Sequence, residues 1–155
     1  MDGSVETRLR ELGIELPDPS VPAANFIPTK RVGSLLFISG QIPQWNGERR
    51  YVGKLGAEYS VAEGQAAARL CALNLVAHLK KALDGDLDRV VGCVRLGGFV
   101  NAVPEFTQPP QVVNGASDLV VEIFGERGKH VRTAIGTNVL PGNVAVEVDG
   151  IFEVR

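Results

Sequence analysis

The sequence predicts an α+β domain in which two helices cover one face of a single mixed β-sheet. Two stretches carry apolar residues at helical spacing, and a glycine-rich, β-like stretch separates them. Pairs of strand-like runs lie before the first helix and after the second, so the predicted order is β-β-α-β-α-β-β. A length of 155 residues suits one such domain and is too short for two of ordinary size.

The start of the chain differs in character from the rest. Residues 4–12 have the pattern of a short helix, and residues 16–22 contain three prolines. Proline fixes φ and lacks the N–H that regular pairing needs. Residues 16–22 are therefore predicted to be an extended arm.

A hairpin is predicted at each end of the domain. Residues 35–43 form an apolar strand-like run, and Asn46-Gly47 marks a tight reversal into a second strand at residues 49–52. Near the C-terminus, the runs 131–139 and 144–149 are predicted to pair around a Pro-Gly-Asn turn.

Both helices have recognisable starts. Ser60 and Glu63 form a capping box before the first, and Pro109-Pro110 begins the second. Residues 89–101 lie between them and are predicted to form a strand that three glycines interrupt. The apolar stripes of the helices are Ala68, Ala72, Leu75, Val76, Leu79 and Leu83 in the first, and Val112, Ala116, Leu119, Val120 and Ile123 in the second. Two helices cover only one face of the sheet, so we expect self-association to cover the other.

Composition and charge exclude several classes of protein. A net charge of −2, with 16 Lys and Arg against 18 Asp and Glu, provides no basic field for nucleic acid. No apolar run approaches the roughly 20 residues of a membrane helix, and residues 1–8 lack the apolar stretch of a secretory leader. We therefore expect a cytoplasmic protein that does not bind membranes. Cys71 and Cys93 have neither metal-ligand nor disulfide spacing, and we predict that both are buried apolar residues. No metal site is predicted.

Two charged residues on the last two runs are candidates for chemistry. Strand alternation places Arg132 beside Ala134 and Gly136, where a planar guanidinium has room to bind a carboxylate in bidentate geometry. Glu147 follows in an otherwise apolar strand and could position or activate water. The ordinary alternatives are a surface ion pair for Arg132 and an exposed edge-strand acid for Glu147, and spacing does not decide between them.

Two histidines and one glycine at a strand end are further candidates. His78 lies off the apolar stripe beside two lysines, which predicts a solvated helix face. His130 precedes a strand and could line the mouth of a site with Arg132. In Ser39-Gly40-Gln41, a glycine at a strand end can offer a bare backbone N–H to a ligand, although a simple strand terminus is the alternative.

An ordered set of short motifs carries a family resemblance. Its members are Ser39-Gly40-Gln41-Ile42-Pro43, Phe99-Val100-Asn101, Asn114, and the closing Arg132-x8-Pro141-x5-Glu147-Val148 stretch. Together they resemble the Rid family, also called the YjgF family, of reactive intermediate deaminases. The resemblance divides the chain into an N-terminal helix and Pro-rich arm at 1–24 and a single YjgF/Rid-like domain at 25–155.

The resemblance implies both a fold and an activity. The fold is chorismate-mutase-like, assembled as a homotrimer with clefts between subunits. The activity is hydrolysis of enamines or 2-imino acids to 2-oxo acids and ammonia, without a cofactor. Arg132 would hold the substrate carboxylate and Glu147 would orient the water, while Gly40 would offer its backbone N–H. Ser39, Phe26, Asn114 and Ala134 complete the implied substrate-binding set.

The chain departs from the family pattern at two positions. Phe26 stands where many active members have tyrosine, and Ala134 replaces a cysteine found in some members. The leading alternative function is therefore a trimeric protein that senses a small carboxylate without turning it over. Isomerisation of a dicarboxylate rests on fold analogy alone. RNA cleavage, attributed to some members, is disfavoured by the acidic balance of charge.

Overall fold

The computed structural model describes residues 3–155. It contains three helices and seven strands, in the order α1 (Ser4–Glu11), β1 (Thr29–Val32), β2 (Leu35–Gln41), β3 (Gln44–Trp45), β4 (Glu48–Arg49), α2 (Val61–Ala82), β5 (Val90–Asn101), α3 (Pro109–Phe124), β6 (Val131–Thr137) and β7 (Val146–Val154). Among the described residues, no helix is long and apolar enough to cross a membrane.

Five strands form one mixed sheet in the order β1-β2-β7-β5-β6. All neighbours are antiparallel except β5 and β6, which are parallel. Helices α2 and α3 pack on one face and on each other, so the predicted α+β class and the order β-β-α-β-α-β-β are confirmed.

The predicted helix boundaries are also confirmed. The Ser60 hydroxyl accepts from the Glu63 backbone N–H and the Glu63 carboxylate accepts from that of Ser60, which closes the capping box of α2. The short helix α1 packs on α3 through Val5 and Leu9. Cys71 and Cys93 are buried free thiols, as predicted, and burial raises the pKa of the Cys93 thiol to about 12.

The prediction of the first hairpin is wrong about which strand pairs with β2. Asn46 and Gly47 do turn with positive φ, but they join only the two-residue strands β3 and β4 of a separate small sheet. The partner of β2 is instead β1, reached through Gly33 at φ 60°, in a segment that the sequence left unassigned. Pro43 cannot donate to a ladder, which ends β2 before that turn.

The predicted C-terminal hairpin is also wrong. β6 and β7 do not pair, because β5 lies between them. A β5-α3-β6 crossover places β6 parallel to and beside β5, and eight residues, 138–145, then carry the chain past the end of β5 to its other edge.

A buried asparagine fixes this long connection. Asn101, at the end of β5, is fully buried, and its Nδ2 donates to the Asn143 side chain (2.9 Å) and to the Val144 carbonyl (3.0 Å). Its Oδ1 accepts from Lys54 Nζ (2.6 Å), which also donates to the Asn138 carbonyl. The Asn101 side chain thereby attaches the end of β5 to the segment around Lys54 and to the 138–145 connection.

No helix among the described residues covers the face of the sheet opposite α2 and α3, and this face is largely apolar. Its exposed apolar side chains include Val32, Phe37, Val131 and Ile135. Near its centre, Arg95 and Asp149 form an ion pair at 3.3 Å. Gly97 lies beside the pair, and a Cβ there would lie 2.9 Å from the Arg95 guanidinium, so glycine leaves room for the pair.

We expect Asn101→Ala to destabilise the fold by about 2–4 kcal/mol, because it removes several buried hydrogen bonds and leaves the Val144 carbonyl without this donor. Chemical denaturation measures the loss. The matched control is Asn138→Ala, whose side chain makes no hydrogen bond to the described residues, with an expected change under about 0.5 kcal/mol. Equal effects of the two substitutions would contradict the assignment of Asn101 as the clamp.

Candidate functional site: a cleft beside Glu147

A cleft of about 370 Å³ lies between the N-terminal arm, the end of β2 and the start of β7. This volume is enough for a small organic ligand. The residues that line it are Ser20, Val21, Pro22, Ala23, Ala24, Phe26, Pro28, Gly40, Gln41, Ile42, Gln44, Arg49, Pro141 and Glu147. The sequence-predicted residues Gly40, Phe26 and Glu147 therefore share one cavity.

Gly40 and Glu147 are in close contact across two neighbouring strands. The pairing of β2 with β7 is irregular between Ile38 and Gln41, and Gly40 lies within that irregularity. A Cβ on Gly40 would lie only 2.6 Å from Oε2 of Glu147. Glycine is therefore required for the carboxylate to occupy its place at the cleft.

The Glu147 carboxylate is poorly solvated. It lies on the open face of β7, half-buried, and no hydrogen-bond donor within residues 3–155 reaches it. Burial raises its pKa above the ordinary 4.5, and the nearby Asp149 carboxylate raises it further. A carboxylate with a raised pKa is better suited to proton transfer near neutral pH.

The arm is fixed to the cleft by a buried histidine. Ser20 Oγ donates to Gln41 Oε1 (3.0 Å), so it accepts from Nε2 of His78 (2.9 Å). His78 is only 1% exposed, and the prediction of a solvated helix face is wrong. Burial, with a smaller effect of Lys81, lowers its pKa. Asn74, one turn earlier in the same helix, is also polar and buried.

Arg132 lies in a second cluster, against α3. Its Nη1 donates to Asn114 Oδ1 (2.8 Å) and Ser117 Oγ (3.2 Å), and its Nη2 donates to the Pro110 carbonyl (3.2 Å). Nε2 of His130 lies 2.9 Å from the same Ser117 hydroxyl. The sequence suggested Arg132, Asn114 and His130, but Ser117, which connects them, was missed.

The two clusters lie on opposite faces of the sheet. Arg132 pairs with Leu96 and points to the helix side, as does Ala134, which packs at the edge of the core. Glu147 pairs with Phe99 and points to the open face. Within one chain, Arg132 and Glu147 therefore do not share a cleft.

Ser39 was expected at the site and is not part of the cleft, whereas Arg49 was not expected and is. Ser39 does not line the cleft; its hydroxyl donates to the carbonyl of Ile27 (2.8 Å), in the segment that joins the arm to β1. Arg49 lines the cleft from β4, and nothing in the sequence pattern had singled it out. In the described part of the chain, no group of three or more His, Cys, Asp or Glu side chains could hold a metal ion.

The fold and the cleft define a small α+β protein with a ligand-sized cavity ending at a poorly solvated carboxylate. A family model described as "YjgF/chorismate_mutase-like, putative endoribonuclease" matches residues 6–153. The chain belongs to this family, which confirms the resemblance inferred from the sequence.

Individual proteins resemble the chain over nearly its whole length. Protein TCP17 of Trypanosoma cruzi is 47% identical over 154 residues, which cover 99% of this chain and 96% of the relative. A protein of unknown function from Agrobacterium tumefaciens is 44% identical, with a TM-score of 0.91, and the match covers 97% of this chain and 92% of that one. A "putative endoribonuclease" from Shewanella oneidensis is 41% identical, with a TM-score of 0.94 and coverage of 98% and 100%.

We expect Glu147→Gln to stabilise the protein at neutral pH. Because the pKa of Glu147 is raised on folding, the folded state binds the proton more tightly, and stability falls as pH rises from about 4.5 through the raised pKa. The glutamine variant lacks this loss, so its advantage should grow over that window and vanish below it. Unfolding free energies measured from pH 3.5 to 8 test this.

Ile151→Val, on the same face of β7, removes no charge and serves as the control. A stability difference between Glu147→Gln and wild type that stays constant with pH, or grows towards acid, would contradict the raised pKa.

Proposed function

We propose that the protein is an enamine/imine deaminase that hydrolyses reactive 2-imino acids to 2-oxo acids and ammonia. The observation that carries this proposal is the half-buried Glu147 carboxylate, with its raised pKa, at the end of a ligand-sized cleft. Family membership supports the fold on which such a site is built.

The proposed reaction adds water across a C=N bond. The substrate reacts as the protonated imine, C=NH₂⁺. Glu147 accepts a proton from the water as its oxygen attacks the imine carbon, which gives a neutral tetrahedral carbinolamine. Glu147 then returns that proton to the amino group. As the C–N bond breaks and the C=O bond forms, Glu147 accepts the hydroxyl proton and passes it to the departing ammonia, which leaves as ammonium. Imines hydrolyse readily in water, so positioning of the water and substrate supplies most of the acceleration. No cofactor takes part.

Arg132 is the proposed partner of the substrate carboxylate. Its guanidinium is already oriented by Asn114 and Ser117, which lowers the entropy cost of binding an anion. Since it lies across the sheet from Glu147 in one chain, the proposal requires Arg132 to come from a second copy. The apolar open face provides a surface for assembly, and we propose the homotrimer implied by the family resemblance.

The decisive experiment generates 2-iminobutanoate or 2-aminoacrylate in situ with a dehydratase and measures its disappearance. Wild type should accelerate it, and Arg132→Ala should abolish the acceleration. Glu147→Gln should lower the rate by about 10²-fold or more, the usual effect of losing a general base. A protein that only senses a carboxylate would need Arg132 but tolerate the loss of Glu147.

The matched control is Arg69→Ala, a surface arginine paired with Glu122, which neither lines the cleft nor hydrogen-bonds to the Arg132 cluster and should keep full activity. Light scattering must show the same oligomer for all variants. If correctly assembled wild type has no effect on either imine, the deaminase proposal is wrong for these substrates.

Gly40→Ala should lower activity without unfolding the protein. The added methyl collides with the flexible end of Glu147 rather than with backbone, and Gly40 does not have positive φ, so the carboxylate moves and the fold tolerates the change. We expect a fall in kcat of about tenfold, since displacing one catalytic group by an ångström is costly, and a melting temperature close to that of wild type.

The control is Gly136→Ala, where the new methyl has only ordinary contacts, the nearest at 3.7 Å. If Gly40→Ala retains full kcat, the position of Glu147 is not important for catalysis.

A further inference from the structure

Arg49 gives the cleft a positive charge that the proposed mechanism does not use. Among the described residues that line the cleft, it alone carries a positive charge, and Glu147 alone carries a negative one. The Arg49 guanidinium makes no hydrogen bond or ion pair with any residue in 3–155. An unpaired arginine at the wall of a cleft is a ready partner for an anionic group of a ligand.

The position of Arg49 is fixed by the short β3–β4 hairpin. Nδ2 of the buried Asn74 donates to the Gln44 carbonyl (2.8 Å), and the Asp18 backbone N–H donates to Oδ1 of Asn46 in the turn (2.8 Å). The hairpin is thereby attached to α2 on one side and to the N-terminal arm on the other. Its strands cannot swing freely away from the cleft.

The guanidinium itself lies over the turn that precedes β7. Gly142 has a φ of 61°, and a Cβ there would lie 2.9 Å from Cζ of Arg49. A side chain at position 142 would therefore displace the charge. The glycine is required both by its own backbone conformation and by the arginine packed on it.

Arg49 and Glu147 do not neutralise each other. No nitrogen of Arg49 lies within 4 Å of a carboxylate oxygen of the described residues, and the pKa of Glu147 is raised by burial and by Asp149 rather than lowered by an arginine. The cleft thus contains the Glu147 carboxylate, which can activate water beside a reacting carbon, and a separate cation, the Arg49 guanidinium. Apolar residues such as Val21, Pro22 and Ile42 form the rest of its wall.

We propose that Arg49 binds a second acidic group, at the far end of the substrate side chain, so that the cleft selects 2-imino acids that are dicarboxylic. This inference rests on the proposed deaminase function. The carboxylate next to the imine carbon is bonded directly to the atom that the water activated by Glu147 attacks. The carbon of a side-chain carboxylate lies two or three bonds from that imine carbon. Because no nitrogen of Arg49 lies within 4 Å of the Glu147 carboxylate oxygens, Arg49 is placed to bind the more distant of these two groups.

The test compares 2-iminoglutarate with 2-iminobutanoate, each generated in situ by an amino acid oxidase. Wild type and Arg49→Gln are assayed for kcat/KM on both. We expect the substitution to lower kcat/KM about tenfold or more on 2-iminoglutarate, the usual effect of losing a charge-assisted hydrogen bond. On 2-iminobutanoate the change should be less than about twofold.

Arg50→Gln is the matched control. Arg50 is the next residue, but its guanidinium lies 5.8 Å from the centre of the Trp45 ring and does not line the cleft. The substitution makes the same change in net charge on the same hairpin. Arg50→Gln should leave kcat/KM unchanged on both substrates. If both variants lower kcat/KM equally, the loss is a general effect of charge and the proposal is overturned.

Two other results would also overturn it. An equal loss on both substrates would assign Arg49 to the carboxylate beside the imine carbon, and no loss on either would remove Arg49 from the site.

Calorimetric titration with the products, 2-oxoglutarate and 2-oxobutanoate, separates this inference from the function on which it rests. If no imine is turned over, the deaminase proposal fails. Tighter binding of 2-oxoglutarate by wild type, lost in Arg49→Gln and kept in Arg50→Gln, would still support the anion site. Equal binding of both products by wild type would overturn it.

Discussion

The architecture depends on strand β5, whose two neighbours in the sheet both come from later parts of the chain. β6 pairs with it through the crossover of α3, and β7 pairs with its other edge. Once this is set, alternation along β6 and β7 directs Arg132 towards the helices and Glu147 towards the open face. The separation of the two charged residues therefore follows from strand order, and a site that used both side chains would have to combine two copies of the chain.

Local signals in the sequence predicted the helices well. The capping box of Ser60 and Glu63 and the proline pair at 109 and 110 are short-range features, and each one marks a real helix start. Strand pairing is a long-range property that such signals do not contain. The Asn46-Gly47 turn was correctly identified, yet the strand beside β2 is decided by Gly33 and by which edge of the sheet is free.

The candidate site was predictable only in part, for similar physical reasons. A motif resemblance selected Gly40 and Glu147, and the structure places them in contact. His78 was misjudged because a helix packed on several sides buries more than one apolar stripe, and a polar residue there needs only one partner, Ser20, to be satisfied. That partner is 58 residues away in the chain, as Arg49 is 98 residues from Glu147, and no pattern of spacing relates them.

The Arg95–Asp149 pair makes the open face more selective for a covering surface than its apolar residues alone would. Apolar contact is non-directional and would accept many partners in many orientations. Covering an ion pair removes water from two charges, which is costly unless the covering surface supplies matching polar groups at the same place. A surface that covered this face out of register, or a foreign apolar sheet, would therefore leave these charges buried without partners and would bind more weakly than a surface with matching polar groups.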